Sequence, residues 1–498
     1  MIKRPRLSRR LTALVVAVGT ALTLTTFPTL ATAAGTTDLP ALNPSVSAGL
    51  PSNAGVAQRR MAKLIPARIA KLKPLAASRG ILVADALSGD TAFNQRSTIA
   101  LRGASTTKLA TAVTALHTLG TTTRFPTRIV SGRNSREVVI VAGGDPLLTS
   151  SQLRLLARAT AVALKSALPA RVPAPGPSPT PSPTPTTSPS ATTSPSATTS
   201  PSPTPSPTTS PAPAPAIPVR FVVRVDDSLY PDPTAVQGWP ADYLPYVVSP
   251  VRPLVYNLRH SSDTSADAAR YFATQVQAYL RSFTKSRTDL LITSVYGGRL
   301  KSPAGNREIT RFDGNTSGAA LAWMLLVSDN DVAEKFFRNS AIAAGLTGSW
   351  LDGRKHEMAV LASLGVDTRG WVIRDGSGVS RADRLTARGL VTLLRASLSP
   401  AHPELAPLKG YLPVGGVSGT LKSKNGRFST TPTKCARGKV FAKTGTLHDT
   451  VGLAGFANGS DGRLKVFAVM VNNWNVKFNV LQVRQAVDHI PATATGCF

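Results

Sequence analysis

Three short runs in this chain carry side chains suited to nucleophilic chemistry. The first is Gly103-Ala104-Ser105-Thr106-Thr107-Lys108-Leu109, where a hydroxyl precedes an amine by three positions. Residues three apart share a helix face. The Ala-, Thr- and Leu-rich run 109–119 suits a buried helix, so Ser105 and Lys108 can meet. A serine hydroxyl becomes a nucleophile when a neighbouring base takes its proton. A lysine can be that base once burial or a second cation lowers its pKa. Taken alone, the pattern also fits a helix-capping serine beside an exposed lysine. A second copy, Ser282-Phe283-Thr284-Lys285, closes a helical run and reads as solvated surface.

The second run is Ser328-Asp329-Asn330, held between the apolar stretch 321–327 and a helix expected over 332–344. A polar turn between two apolar helices presents a hydroxyl and an amide rigidly; a capping serine and a turn asparagine are the plain alternative. Another S-x-N, Ser423-Lys424-Asn425, lies in a Gly- and Lys-rich loop and is discounted. The third run is Phe441-Ala442-Lys443-Thr444-Gly445-Thr446-Leu447, on a strand expected over 440–447. Lys443 offers a cation to a carboxylate, and Gly445 would let a substrate backbone lie close. An exposed strand edge can take an extended peptide as a further strand; alone, the run also fits an ordinary strand-end lysine.

The elements that must position these runs are legible in outline. Residues 57–75 form a basic amphipathic helix with Met61, Leu64, Ile65, Ile69 and Leu72 at helical spacing. Strands are expected at 80–87, 91–95, 137–141, 219–225, 452–457 and 464–472, and helices at 151–167, 265–283 and 482–489. Gly143-Gly144-Asp145-Pro146 marks a turn, and 239–257 is irregular. Residues 173–218 are almost wholly Pro, Ser, Thr and Ala, and such a tract cannot bury a core. It suits O-glycosylation in an exported protein. It is read as a long disordered loop spliced into one folded unit, so that the helix before it and the strand after it are packed neighbours.

Composition sets the setting. The 498 residues carry a formal charge of +31. Lys3, Arg4, Arg6, Arg9 and Arg10 precede an apolar stretch ending in Ala31-Thr32-Ala33-Ala34, which reads as a signal peptide over 1–34 and an exported product; an uncleaved anchor helix is the alternative. The positive charge suits anionic wall polymers or a membrane surface, or is simply a solvated face. No nucleic acid is expected as a partner: it is a poor candidate for an exported chain in which aromatic and basic residues do not interleave as in single-strand binders. Cys435 and Cys497 permit one disulfide in an exported chain. Neither cysteine has a further Cys or a His at zinc-ligand spacing, and no metal is expected.

The order S-x-x-K, S-x-N, K-T-G, at a helix start, a helix–helix turn and a strand, is that of penicillin-binding proteins and β-lactamases. From about residue 80 to 473 the chain resembles the D-alanyl-D-alanine carboxypeptidases of the DacB type, class C low-molecular-mass penicillin-binding proteins. Further support comes from Asp226-Asp227-Ser228, Arg374-Asp375-Gly376-Ser377-Gly378-Val379-Ser380-Arg381 and Leu412-Pro413-Val414-Gly415-Gly416-Val417-Ser418-Gly419-Thr420-Leu421. The Pro/Ser/Thr tract departs from that pattern, as does Ser418, where an acidic residue is expected.

The resemblance implies an α+β, transpeptidase-like fold: an antiparallel sheet flanked by helices. The catalytic domain would be discontinuous, 35–125 and 312–498, with an accessory domain inserted over 126–311. It implies hydrolysis of the terminal D-Ala of peptidoglycan stem peptides without a cofactor, with β-lactams as covalent inhibitors. Ser105 would attack, and Lys108 would take its proton, helped by a nearby Lys443. Ser328 would relay the proton, Asn330 would hold the substrate amide, and Lys443 and Thr444 would bind the carboxylate. The N–H groups of Ser105 and Thr446 would form the oxyanion hole, and Gly445 belongs to the same substrate-binding strand. Endopeptidase action on cross-links uses the same site. A β-lactamase needs a deacylating base, and no Glu stands in a convincing E-x-x-L-N setting. A non-enzymatic wall-binding module is a third reading, suggested by charge and tract and opposed by the complete motif set.

Overall fold

The structure, a computed structural model, describes residues 55–75, 78–171 and 216–498. The expected signal peptide and the tract from 173 to 215 lie outside these. The chain runs through α1 (Val56–Lys71), β1 (Ser78–Asp85), β2 (Thr91–Gln95), a 3-10 turn Ala104–Thr107 and α2 (Lys108–Leu119). Next come β3 (Thr127–Ser131), β4 (Glu137–Val141), α3 (Ser150–Leu164), β5 (Ile217–Asp226), α4 (Thr264–Phe283), β6 (Leu290–Arg299) and β7 (Glu308–Phe312). Helices α5 (Ser317–Val327), α6 (Asn330–Ala343), α7 (Trp350–Ser363), α8 (Ala387–Ala396) and α9 (Leu408–Tyr411) follow. Strands β8 (Val440–Leu447), β9 (Thr450–Asn458) and β10 (Leu464–Asn472) and helix α10 (Val480–Ala494) close it.

The sheet that carries Lys443 has the order β2-β1-β10-β9-β8, antiparallel throughout. Its inner strands are apolar on both faces because both are covered. Side chains alternate along a strand. Ile81, Val83, Phe467 and Val469 accordingly pack with Met61, Ile65, Val487 and Ile490 of α1 and α10. Leu82, Ala84, Ala468 and Met470 face the other core, built from α2, α5, α6, α7 and α8. β1 ends two residues before the expected limit of 87. The Asp85 carboxylate accepts from the N–H groups of Leu87 and Ser88 and turns the chain there.

The second sheet, β6-β5-β4-β3-β7, is mixed: β5 runs parallel to both β4 and β6. Val219, Phe221, Val223 and Val225 of β5 share one core with Leu153, Leu156, Ala161 and Leu164 of α3 and with α4. The chain on either side of the Pro/Ser/Thr tract therefore contributes to the same core, and the tract interrupts a β4–α3–β5 crossover. The expected limit of the tract, 218, is too late: the Ile217 N–H donates to the Asp289 carbonyl at 2.7 Å, and Ile217 and Pro218 already pair with β6.

Six elements were not anticipated: β3, β6, β7, α7, α8 and the single-turn α9. β6 and β7 alternate poorly and are half-buried edge strands. α7 buries only Trp350, Gly353, Glu357, Val360 and Leu361, which gives it almost no apolar stripe. α8 is amphipathic but only ten residues long. Cys435 and Cys497 are bonded, with their Cα atoms 5.9 Å apart. Among the described residues no helix is long and apolar enough to cross a membrane.

Candidate active site

Ser105 sits half-buried in the 3-10 turn that leads into α2, with Lys108 fully buried one turn on. The preceding Ala104 has φ +47°, a left-handed conformation that costs a non-glycine residue about 1–3 kcal/mol. The turn is seated on the sheet by two facing glycines, Gly445 of β8 and Gly452 of β9. A Cβ on Gly445 would lie 2.4 Å from the Gly103 carbonyl oxygen, and one on Gly452 would lie 2.9 Å from Thr106 Cγ2. The bare face of Gly445 thus admits the serine turn, a requirement the sequence reading did not foresee.

Lys108 Nζ donates to Ser105 Oγ at 3.1 Å, to Asn330 Oδ1 at 2.7 Å and to the Ser377 carbonyl at 2.8 Å. Asn330 is the first residue of α6, and its Nδ2 donates to the Val247 carbonyl at 2.7 Å. Ser328 ends α5 in the left-handed conformation. There its Oγ accepts from Lys443 Nζ at 2.8 Å, and Lys443 Nζ also donates to the Thr444 carbonyl at 2.9 Å. Thr444 Oγ1 lies 2.8 Å from Thr420 Oγ1, and Arg484 Nε donates to Thr446 Oγ1 at 3.1 Å. Ser105, Ser328, Thr444 and Thr446 line one cleft of about 400 Å³, together with Thr420, Asn425, Arg427 and Arg484. The structure thus brings the three runs together, while Ser282 caps its own helix with a bond to the Tyr279 carbonyl.

Burial pushes the Lys108 amine down to about 8, against the pull of Glu334, Asp375, Asp329 and Asp331. Lys443 is held well below the usual lysine range by burial and then by the charge of Lys108. The like-charge repulsion expected at Lys108 is therefore expressed at Lys443. Arg484, through its bond to Thr446, adds a second cation to the wall of the cleft.

Several site residues escaped the sequence reading. Asn425, from the discounted S-x-N, borders the cleft. Its exposed loop context hid the fact that the loop folds back over β8. Glu334, fully buried on α6 one turn after Asn330, accepts from the N–H groups of Gly376 and Ser377, both at 2.9 Å. It thereby fixes the Ser377 carbonyl that receives Lys108. The i, i+4 spacing from Asn330 was its only signal. The other quoted stretches are joints. The Asp145 carboxylate accepts from Asn315 N at 3.0 Å, and Asp227 pairs with Arg252 and Arg299. Ser418 Oγ accepts from Val414 N at 2.9 Å, a bond local to its turn.

The chain matches the D-Ala-D-Ala carboxypeptidase 3 (S13) family over residues 62–166 and 318–494, more than half its length, and belongs to that family. It is 30% identical over 286 residues to carboxypeptidase DacB of Mycolicibacterium smegmatis, covering 55% of this chain and 58% of that protein. The D-alanyl-D-alanine carboxypeptidase of an Actinomadura species is 34% identical over 165 residues, 32% of this chain and 29% of that one. The crystal structure of penicillin binding protein 4 (dacB) from Haemophilus influenzae superimposes with a TM-score of 0.60 at 17% identity. The match covers 85% of this chain and 98% of that one. This bears out the expected transpeptidase-like fold.

Proposed function

We propose that this protein is a serine-type D-Ala-D-Ala carboxypeptidase that removes the terminal D-Ala of peptidoglycan stem peptides through an acyl-serine intermediate. The observation that carries this reading is the pair of hydrogen-bonded groups Ser105–Lys108–Asn330 and Ser328–Lys443, whose two serines line one cleft. Lys108 takes the Ser105 proton, for which an amine with a pKa of about 8 is well matched near neutral pH. Ser105 Oγ attacks the penultimate D-Ala carbonyl, and the developing oxyanion is met by the N–H groups of Ser105 and Thr446. Each such donor is worth about 10²–10³ in rate. Ser328 passes a proton to the leaving amine, and Asn330 holds the substrate amide. Thr444 and Thr446 receive the terminal carboxylate, with Lys443 beside Thr444 and Arg484 behind Thr446 as the neighbouring cations. Glu334 acts through Ser377 as a positioning residue. Water then releases the acyl group.

The same cleft takes β-lactams as covalent inhibitors. Support comes from the related fold of the Haemophilus influenzae protein, whose structure has also been solved in complex with a β-lactam. Export from the cytoplasm fits the Cys435–Cys497 disulfide, which needs an oxidising compartment. Residues 126–311 serve as an accessory domain, and the +31 charge suits anionic wall polymer. Mass spectrometry of muropeptides after incubation with the purified protein tests the assignment. Loss of one D-Ala from pentapeptide stems is expected. Cleavage of cross-links alone would make the protein an endopeptidase, and unchanged muropeptides would contradict the proposal.

A further inference from the structure

We propose that His117, His402 and Glu404 form a binding site for a divalent transition-metal cation, zinc above all. Their ligand atoms lie within 4.8 Å of one another, the only such His/Cys/Asp/Glu group among the described residues. His117 Nδ1 is 2.8 Å from Glu404 Oε1, and His402 Nδ1 is 3.7 Å from that same oxygen. The two rings stand edge to face, with centroids 6.3 Å apart. Zinc binds nitrogen and oxygen at about 2.0–2.1 Å in tetrahedral geometry, which sets its donors roughly 3.3 Å apart. The two separations found here bracket that value, so small side-chain rotations complete the site. Two imidazoles and a carboxylate are a borderline donor set, which suits zinc, nickel or copper better than magnesium or calcium.

The ligands stand on rigid supports. His117 lies in the last turn of α2, a helix buried over nearly all its length. His402 caps the 3-10 turn Pro403–Leu405, and Leu405 anchors that turn with a side chain fully out of solvent. The side chains of His117, His402 and Glu404 are 36%, 27% and 30% exposed, so an ion can enter and water can fill the remaining position. A third imidazole is close by: His356 Nε2 lies 2.8 Å from Thr118 Oγ1. His356 thus stands against the residue next to His117 in the last turn of α2. An ion pair accounts for His117 and Glu404, but leaves a second imidazole facing the same carboxylate oxygen. A cation shared by all three accounts for the whole arrangement. Bound metal would tie the end of α2 to the 402–405 turn, on the helix that begins with Lys108.

The test is equilibrium dialysis of the untagged, chelator-stripped chain against zinc at micromolar free concentration. One zinc per chain is expected, with affinity at least about tenfold weaker in His402→Ala and in Glu404→Gln and unchanged in His448→Ala. Cobalt(II) in place of zinc should give the visible absorption of a low-coordinate site, and zinc should raise the thermal midpoint of the wild type but not of His117→Ala. Midpoints measured without metal verify that each variant is folded. Absence of zinc binding would overturn the proposal, as would binding indifferent to both His402→Ala and Glu404→Gln.

Discussion

Lys108 decides the chemistry at the scale of single residues. Its amine touches the nucleophile, an amide oxygen and a main-chain carbonyl, and burial lowers its pKa to about 8. Only the neutral amine accepts a proton. The acylation rate is therefore expected to rise as pH climbs through about 8 and to level off above it, measured by stopped-flow with a chromogenic β-lactam. Glu334 holds the Ser377 carbonyl in place. Its replacement by Gln keeps one acceptor but turns an NH₂ group toward the second main-chain N–H. A buried donor left unpaired costs about 1–3 kcal/mol. Glu334→Gln is expected to slow acylation roughly tenfold and to displace the pH midpoint, whereas a purely structural role would lower the thermal midpoint and leave the pH profile in place. Ser105 and Lys108 were legible in the sequence because their relation is local, three positions across the 3-10 turn that leads into α2. Ser377 was not, because its contribution is a main-chain oxygen with no side-chain signature, and Asn425 was not, because only the folded chain carries its loop to the cleft.

At the scale of elements, the site is a junction between a helix start and a sheet. The 3-10 turn bearing Ser105 rests on β8 and β9 at Gly445 and Gly452, with no room for a Cβ at either position. Gly445→Ala is expected to push the turn off the sheet, with a loss of stability of about 1–3 kcal/mol as for other overpacked sites and at least a tenfold loss of acylation. Urea unfolding and labelling kinetics on one preparation would check both. Strands whose two faces are covered read clearly as apolar runs, and β4, β8 and β10 fall where the pattern puts them. β6, half-exposed at a sheet edge, and α7, buried mainly through Gly353, Glu357 and a few apolar residues, lack the periodicity that makes an element visible. The second sheet is thus the least legible part of the fold: its strand partners are set by a crossover that a low-complexity stretch of sequence interrupts.

At the scale of the whole molecule, long-range joints hold the cleft together. The Cys435–Cys497 bridge closes a sequence separation of 62 and fastens the segment before β8 to the end of α10, the helix that carries Arg484. In the chain-entropy account, closing a loop of that size contributes about 4 kcal/mol. Paired Cys435→Ser and Cys497→Ser substitution is expected to lower unfolding free energy by about 2–4 kcal/mol, readable by denaturant titration. Asp449, after β8, pairs with Arg102 ahead of the Ser105 turn and with Arg381, both at 2.7 Å. Remote segments are thereby fixed around one hydroxyl. The most direct measurement is peptide mapping of the protein after reaction with labelled penicillin. One label per chain on the peptide containing Ser105, and none in Ser105→Ala, is the result expected. A covalent label that persists in Ser105→Ala, or that maps to another residue, would contradict the account.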